Sequence, residues 1–189
     1  MATTSRNDEE RDERRRAAAA AQIRQFPDPV LKQRAREIEA FDADLEALAE
    51  RMVGLMRDAH GAGLAAPQIG LLRRIFVYQG PEAEEARALV NPEVVEASEE
   101  RDVDGEGCLS LDVLLRAGHH VPIERPTWVR LRARDVAGNE VEIDAEGHEA
   151  RILQHELDHL DGVLILDRAE REARKEAMRV LRRAFDAEV

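Results

Sequence analysis

Two imidazoles and two carboxylates within five residues, His155-Glu156-Leu157-Asp158-His159, constrain this chain more than any other stretch of it. Residues four apart lie on one face of a helix, so a helical segment lets both imidazoles reach a single ion. Glu156 then falls on the adjoining surface, near enough to a metal-coordinated water to move its proton without being a ligand. Ile152, Leu153, Leu157 and Leu160 surround the pair, so this helix is expected at the centre of the fold. Chance occurrence and a solvated helix face are the ordinary alternatives for such a spacing.

Around that helix the pattern changes from end to end. Residues 1–21 are low in complexity, mixed in charge and free of large apolar side chains beyond the first. They are expected to be an N-terminal extension that is disordered or a frayed helix, because they bury too little to offset the entropy of ordering. From Asp42 to His60, Leu45, Leu48, Ala49, Met52, Val53 and Met56 recur at helical spacing. Arg74–Tyr78 has strand length and composition, and residues 89–95 read as two short extended pieces broken at Asn91-Pro92. Trp128–Arg134 alternates with period two, and a turn at Ala137-Gly138-Asn139 leads back through Val141 and Ile143 as a hairpin. Glu149–Leu160 is helical, ended by Asp161-Gly162; Arg168–Glu188 is a second long helix. Strands in the middle and helices towards both ends predict an α+β fold with antiparallel sheets around the helix that carries the histidines, plus a C-terminal helix. With 189 residues, one domain over 22–189 is expected. Aromatics are only 3% of the chain, so its core has to be built from Leu, Val, Ile and Ala.

Two histidines leave a mononuclear site short of ligands. No histidine follows His159, and the best soft donor lies upstream at Cys108, in Gly105-Glu106-Gly107-Cys108-Leu109-Ser110. The flanking glycines let backbone approach an ion or a substrate oxygen closely; a small buried hydrophobe is the plain alternative for a lone cysteine. A third segment, Gly61-Ala62-Gly63-Leu64-Ala65-Ala66-Pro67-Gln68, is either a helix cap with its loop or a strip on which an extended peptide lies, with Gln68 as oxyanion donor. The net charge of −12 argues against general nucleic-acid binding. No apolar run approaches membrane length and no signal peptide is seen, so a cytoplasmic location is expected. The single cysteine agrees, since one thiol forms no internal disulfide.

Taken together and in order, GAGLAAPQ, EGCLS and QHELDH resemble the three motifs of the peptide deformylase family. The resemblance covers the chain from about Ile23 to the C-terminal helix. It implies a metal-dependent hydrolase that removes the formyl group from the N-terminal formylmethionine of new polypeptides. It also implies Cys108, His155 and His159 as metal ligands and Glu156 as general acid/base. Gln68 and the Leu109 amide would polarise the formyl oxygen, and Gly63 would pair with the substrate backbone. The metal would be Fe2+, with Zn2+, Ni2+ or Co2+ also accepted. The partners implied are N-formylmethionyl nascent chains and, through the basic C-terminal helix, the ribosome. The chain departs from the family after Cys-Leu-Ser, where Leu111-Asp112 replaces an Ile or Val followed by Pro, and residues 111–124 follow their own pattern. His119 and His120 in that stretch are read as surface residues and not a second metal site, and His60 and His148 as structural. A zincin-type peptidase using the downstream acids, and a non-catalytic ribosome-associated module, are the rival readings.

Overall fold

The computed structural model describes residues 6–187; the outer ends of the N-terminal extension and of the C-terminal helix, residues 1–5 and 188–189, fall outside them. In chain order the elements are α1 (Arg6–Ala20), α2 (Ala43–Asp58), β1 (Gly63–Ala65), β2 (Ile75–Tyr78), β3 (Arg87–Ala97) and β4 (Arg101–Glu106). There follow α3 (Asp112–Arg116), β5 (Val121–Pro126), β6 (Trp128–Arg134), β7 (Glu140–Glu146), α4 (Gly147–Leu160), α5 (Ile165–Arg168) and α6 (Arg171–Ala187). Five strands make one antiparallel sheet in the order β1-β2-β3-β6-β7, and β4 pairs with β5 as a separate antiparallel ribbon. The α+β class with antiparallel pairing is what the sequence patterns lead one to expect.

Strand β2 reads Ile-Phe-Val-Tyr, without alternation, because the sheet is covered on both faces there. Side chains alternate along a strand, so Ile75 and Val77 enter the cluster formed with Leu45, Met52 and Met56 of α2. Phe76 and Tyr78 enter the opposite cluster with Leu153 and Leu160 of α4. Each fully buried Leu or Met contributes about 1.5–3 kcal/mol relative to an exposed one. Helix α2 begins where Asp42 accepts a hydrogen bond from the Leu45 N–H at 3.1 Å, satisfying an otherwise free donor of the first turn. Helix α4 touches β1, β2, β6 and β7 on one side and β5 of the ribbon on the other. It stops at Gly162, whose φ of +73° suits glycine and whose absent Cβ would lie 2.7 Å from the Lys32 carbonyl. A third cluster joins Ala177 and Leu181 of α6 to Leu114, Val121 and Ile123.

One local expectation needs correction, one of two alternatives is resolved, and one element went unread. Residues 87–97 form one continuous strand, and Asn91 is a bulge with φ of +50°, not a break. The Asn91 side chain holds that bulge by bonding both the N–H and the carbonyl of Ile38, at 2.9 and 2.8 Å. Residues 6–20 are helical, supported by i, i+3 and i, i+4 pairs such as Arg15–Asp12 and Arg14–Glu10 and docked on α2 through buried Ala19. The ribbon β4–β5 has no counterpart in the sequence reading, because its first strand is almost entirely polar and exposed.

Candidate metal centre

Three separate segments meet over the exposed-to-buried boundary of α4. The helix contributes His155, Glu156 and His159; the turn after β4 contributes Cys108; the stretch from β1 through a 3-10 turn at Ala66–Ile69 contributes Gly63 and Gln68. The donor atoms of Cys108, His155 and His159 all lie within 4.8 Å of one another, the only such three-donor group among the described residues. Cys108 Sγ is 3.3 Å from His159 Nε2, and the two imidazole rings stand 4.9 Å apart at 74°. Cys108 and His159 are buried, and His155 is nearly so.

Glu156 is buried beside them, and its Oε2 has no hydrogen-bond partner. Burial pushes its carboxyl up to about 7, with Glu106 and Asp158 adding to the rise against the opposing pull of His155 and Arg125. It sits against Gly63 so closely that a Cβ there would lie 2.3 Å from Oε1. Gln68 is also buried. Its Oε1 accepts from the Ala65 N–H at 2.8 Å, which fixes the amide so that Nε2 faces Ser110 Oγ at 3.2 Å and Cys108 Sγ at 3.9 Å. Leu109 opens a 3-10 turn immediately after Cys108 and is half-buried at the cleft. Six of the seven residues singled out in the sequence line one cleft of about 330 Å³, and buried His159 joins them through its contact with Cys108.

The sequence reading assigned no role to the support behind this cluster. Glu106 receives Arg125 through two hydrogen bonds of 2.6 and 2.9 Å, Arg151 at 2.9 Å and His155 Nδ1 at 2.9 Å. Burial by itself would raise the Glu106 carboxyl; the Arg125 and His155 hydrogen bonds overcome this and hold it at about 2. It is therefore an anion that fixes the His155 ring with Nε2 turned the other way. Arg125 continues to Asp158 at 2.9 Å, and Asp158 to Arg168 at 2.6 Å. Burial, with help from His155 and Arg125, drives His159 well below its ordinary value, so its imidazole is neutral with a lone pair to give. A sequence signal for Glu106 existed: a ligating histidine needs an acceptor for its second nitrogen, and an acid stands two residues before the cysteine.

Of the other histidines, His60 and His148 are placed differently from expectation, while His120 is at the surface as read. His60 and His148, read as structural, are exposed on the cleft wall, and exposed His120 lines it as well. His119 is half-buried, with its Nε2 unpartnered. None of the four joins a metal-type cluster among the described residues.

A family model described as polypeptide deformylase matches residues 20–175. A peptide deformylase of Thermotoga neapolitana is 45% identical over 150 residues, spanning 78% of this chain and 85% of that protein. Peptide deformylase 1 of Clostridium perfringens is 41% identical over 145 residues, 77% of this chain and 95% of the relative. The crystal structure of a peptide deformylase from Legionella pneumophila matches with a TM-score of 0.78 at 36% identity, covering 88% of this chain and 95% of that one. For the peptide deformylase of Thermotoga maritima the TM-score is 0.71 at 41% identity, over 78% and 96%. The family match starts at residue 20, so α1 up to its last residue lies ahead of it.

Proposed function

The chain belongs to the polypeptide deformylase family, and on that premise we propose that Cys108, His155 and His159 hold one divalent metal ion while Glu156 carries the protons of the reaction. The activity is metal-dependent removal of the N-formyl group from nascent polypeptides. The observation that carries the residue assignment is the meeting of a thiol and two imidazoles from separate segments in one buried cluster, with a buried carboxylate beside it.

The donor set fits a divalent ion. A thiol and two imidazoles within 4.8 Å of one another, with Cys108 Sγ 3.3 Å from His159 Nε2, are the donor types and the spacing that would hold one. Glu106 engages Nδ1 of His155 and leaves Nε2 for the ion. Such a set accepts several divalent ions; the family resemblance favours Fe2+, with Zn2+, Ni2+ or Co2+ as alternatives. The bound ion supplies Lewis acidity and water of lowered pKa.

The chain's own groups do the rest. Glu156, unpartnered at Oε2 and poised near neutrality, takes a proton there and returns it to the departing amine. Gln68 Nε2, aimed by the Ala65 N–H on its other end, donates to the formyl oxygen together with the Leu109 amide. Gly63 pairs by backbone with the substrate, and its missing side chain leaves the Glu156 carboxylate its place. No helix among the described residues is long and apolar enough to cross a membrane. We place the enzyme in the cytoplasm, with the exposed Arg171, Arg174, Lys175 and Arg182 of α6 as the side offered to the ribosome. The rival readings are less favoured. A peptidase using HExxH alone gives Cys108 no part, and a non-catalytic module gives no reason for a buried, unpaired Glu156.

Formate release from a formyl-Met peptide by anaerobically iron-loaded protein tests the activity, and metal analysis of Cys108→Ala tests the ligands. We expect turnover in the first and loss of most bound metal in the second. Full metal content and turnover in Cys108→Ala would move the third ligand to an acid after His159.

A further inference from the structure

His60 is the last residue of the cleft wall before the chain turns back into α2, and it has an unusual backbone. Its φ is +57°, a region where most side chains are uncommon and His is among the enriched exceptions. The imidazole is half exposed, and its Nε2 lies 3.1 Å from Asp12 Oδ2 of α1. Asp12 also receives Arg15 at 3.3 Å, one turn further along the same helix. Helix α1 is otherwise almost wholly exposed from residue 8 to 18, with Ala19 as its buried anchor. The Asp12–His60 contact therefore ties the free part of α1 to the cleft itself.

The direction of the wall gives this contact a meaning. Strand β1 pairs only with β2, so it is a sheet edge. Gly63 abuts Glu156, and Ala62, Gly61 and His60, the three residues before it in the chain, continue the lining of the same cleft. An extended peptide advances about 3.3 Å per residue, so one whose formyl end is at Glu156 and which follows this edge passes His60 about three residues on. We propose that His60, oriented by Asp12, contacts the substrate two to three residues beyond the formylated one, so that the N-terminal helix ahead of the family match is part of the peptide-recognition surface. The ligand class is a formylated peptide of at least three residues; the inference rests on the deformylase reading above. His60 is the contacting group and Asp12 a positioning residue.

The test uses the full-length, metal-loaded protein with a formyl-Met dipeptide and a formyl-Met tetrapeptide. For the unaltered protein we expect a higher kcat/KM on the tetrapeptide. Asp12→Ala and His60→Ala should each lower the tetrapeptide-to-dipeptide ratio about three- to ten-fold, the worth of one net hydrogen bond, through KM and not kcat. The double variant should be no worse than His60→Ala alone. Asp12→Asn, which keeps an oxygen to accept from Nε2–H, should restore part of the ratio, and Arg16→Ala elsewhere on α1 should leave it as it was. Equal efficiency on both peptides, or a ratio lowered by His60→Ala but untouched by Asp12→Ala, would overturn the proposal. Equal losses on both peptides would make His60 a structural residue only. Release of formate from neither peptide would instead refute the deformylase reading.

Discussion

At Gly63 one methyl group separates an open site from a blocked one. Its absent Cβ would lie 2.3 Å from Glu156 Oε1 and 2.6–2.7 Å from the next two atoms of that side chain. Gly63→Ala therefore has to displace the carboxylate, while the three metal-type donors keep their places. A misplacement of about 1 Å at a reacting group can cost about 10²-fold in rate, so we expect kcat to fall by roughly that factor with metal content unchanged. Parallel loss of metal would show that the strand, and not Glu156, had moved. The legibility of the site follows the same scale. HELDH is readable because helical periodicity alone sets its geometry. Cys108 is readable as the best soft donor in the chain, but its pairing with HELDH follows from the ordered set of motifs, since 46 to 50 residues of chain intervene. The anion behind His155 was not read at all. Glu106, Arg125 and Arg151 come from β4, β5 and α4, and nothing local to any of them announces the other two.

Elements were legible where the apolar pattern had one period and illegible where tertiary contacts overrode it. Helix α2 and the β6–β7 hairpin carry clean periods, whereas β4 is paired by its backbone and by charged side chains such as Glu106 with Arg125, and α1 is held by charge pairs and one buried alanine. The short helix α5 belongs to the second kind. Asp167 accepts the Leu164 N–H at 2.7 Å at its start and receives Lys32 from the 3-10 turn Pro29–Lys32. Burial would raise the Asp167 carboxyl, but the Lys32 and Leu164 hydrogen bonds outweigh it and lower it below the ordinary aspartate value. A depressed folded-state pKa means stability that is present above the unfolded value of about 3.9 and is lost as pH falls through the folded one. Asp167→Asn should accordingly lower Tm at pH 7 by about 2–4 °C, the effect of about 1 kcal/mol in a domain of this size. The gap from the unaltered protein should close as pH drops below about 4. Thermal unfolding of both proteins from pH 7 to pH 3 measures this. A gap that stays constant with pH would mean that the neutral hydrogen bond, not the charge, holds α5.

At the scale of the whole molecule, composition misleads about where charge goes. A chain with 36% charged residues suggests a heavily solvated surface, yet Glu106, Arg125, Arg151 and Asp158 are each at most 7% exposed. They link the ribbon through Glu106 and Arg125 to α4 through Asp158, and on to α5 through Arg168. The candidate metal ligands span the same boundary, with Cys108 after the ribbon strand β4 and both histidines on α4. An ion held there ties ribbon to helix and binds the folded chain far better than the unfolded one, so loading and stability are coupled. With free metal at about 1,000 times its Kd, the gain is about 4 kcal/mol, which corresponds to about 8–16 °C in Tm for a domain of this length. We expect chelation to lower Tm by an amount of that order and re-addition of a divalent ion to restore it. Glu156→Gln should keep the whole shift, because the proposed assignment gives that carboxylate protons to carry and no metal. Cys108→Ala should lose most of it, since two imidazoles on one helix bind without bridging to the ribbon. A full shift in Cys108→Ala would show that α4 holds the ion alone and that the ribbon is joined to it only by Glu106, Arg125 and Asp158.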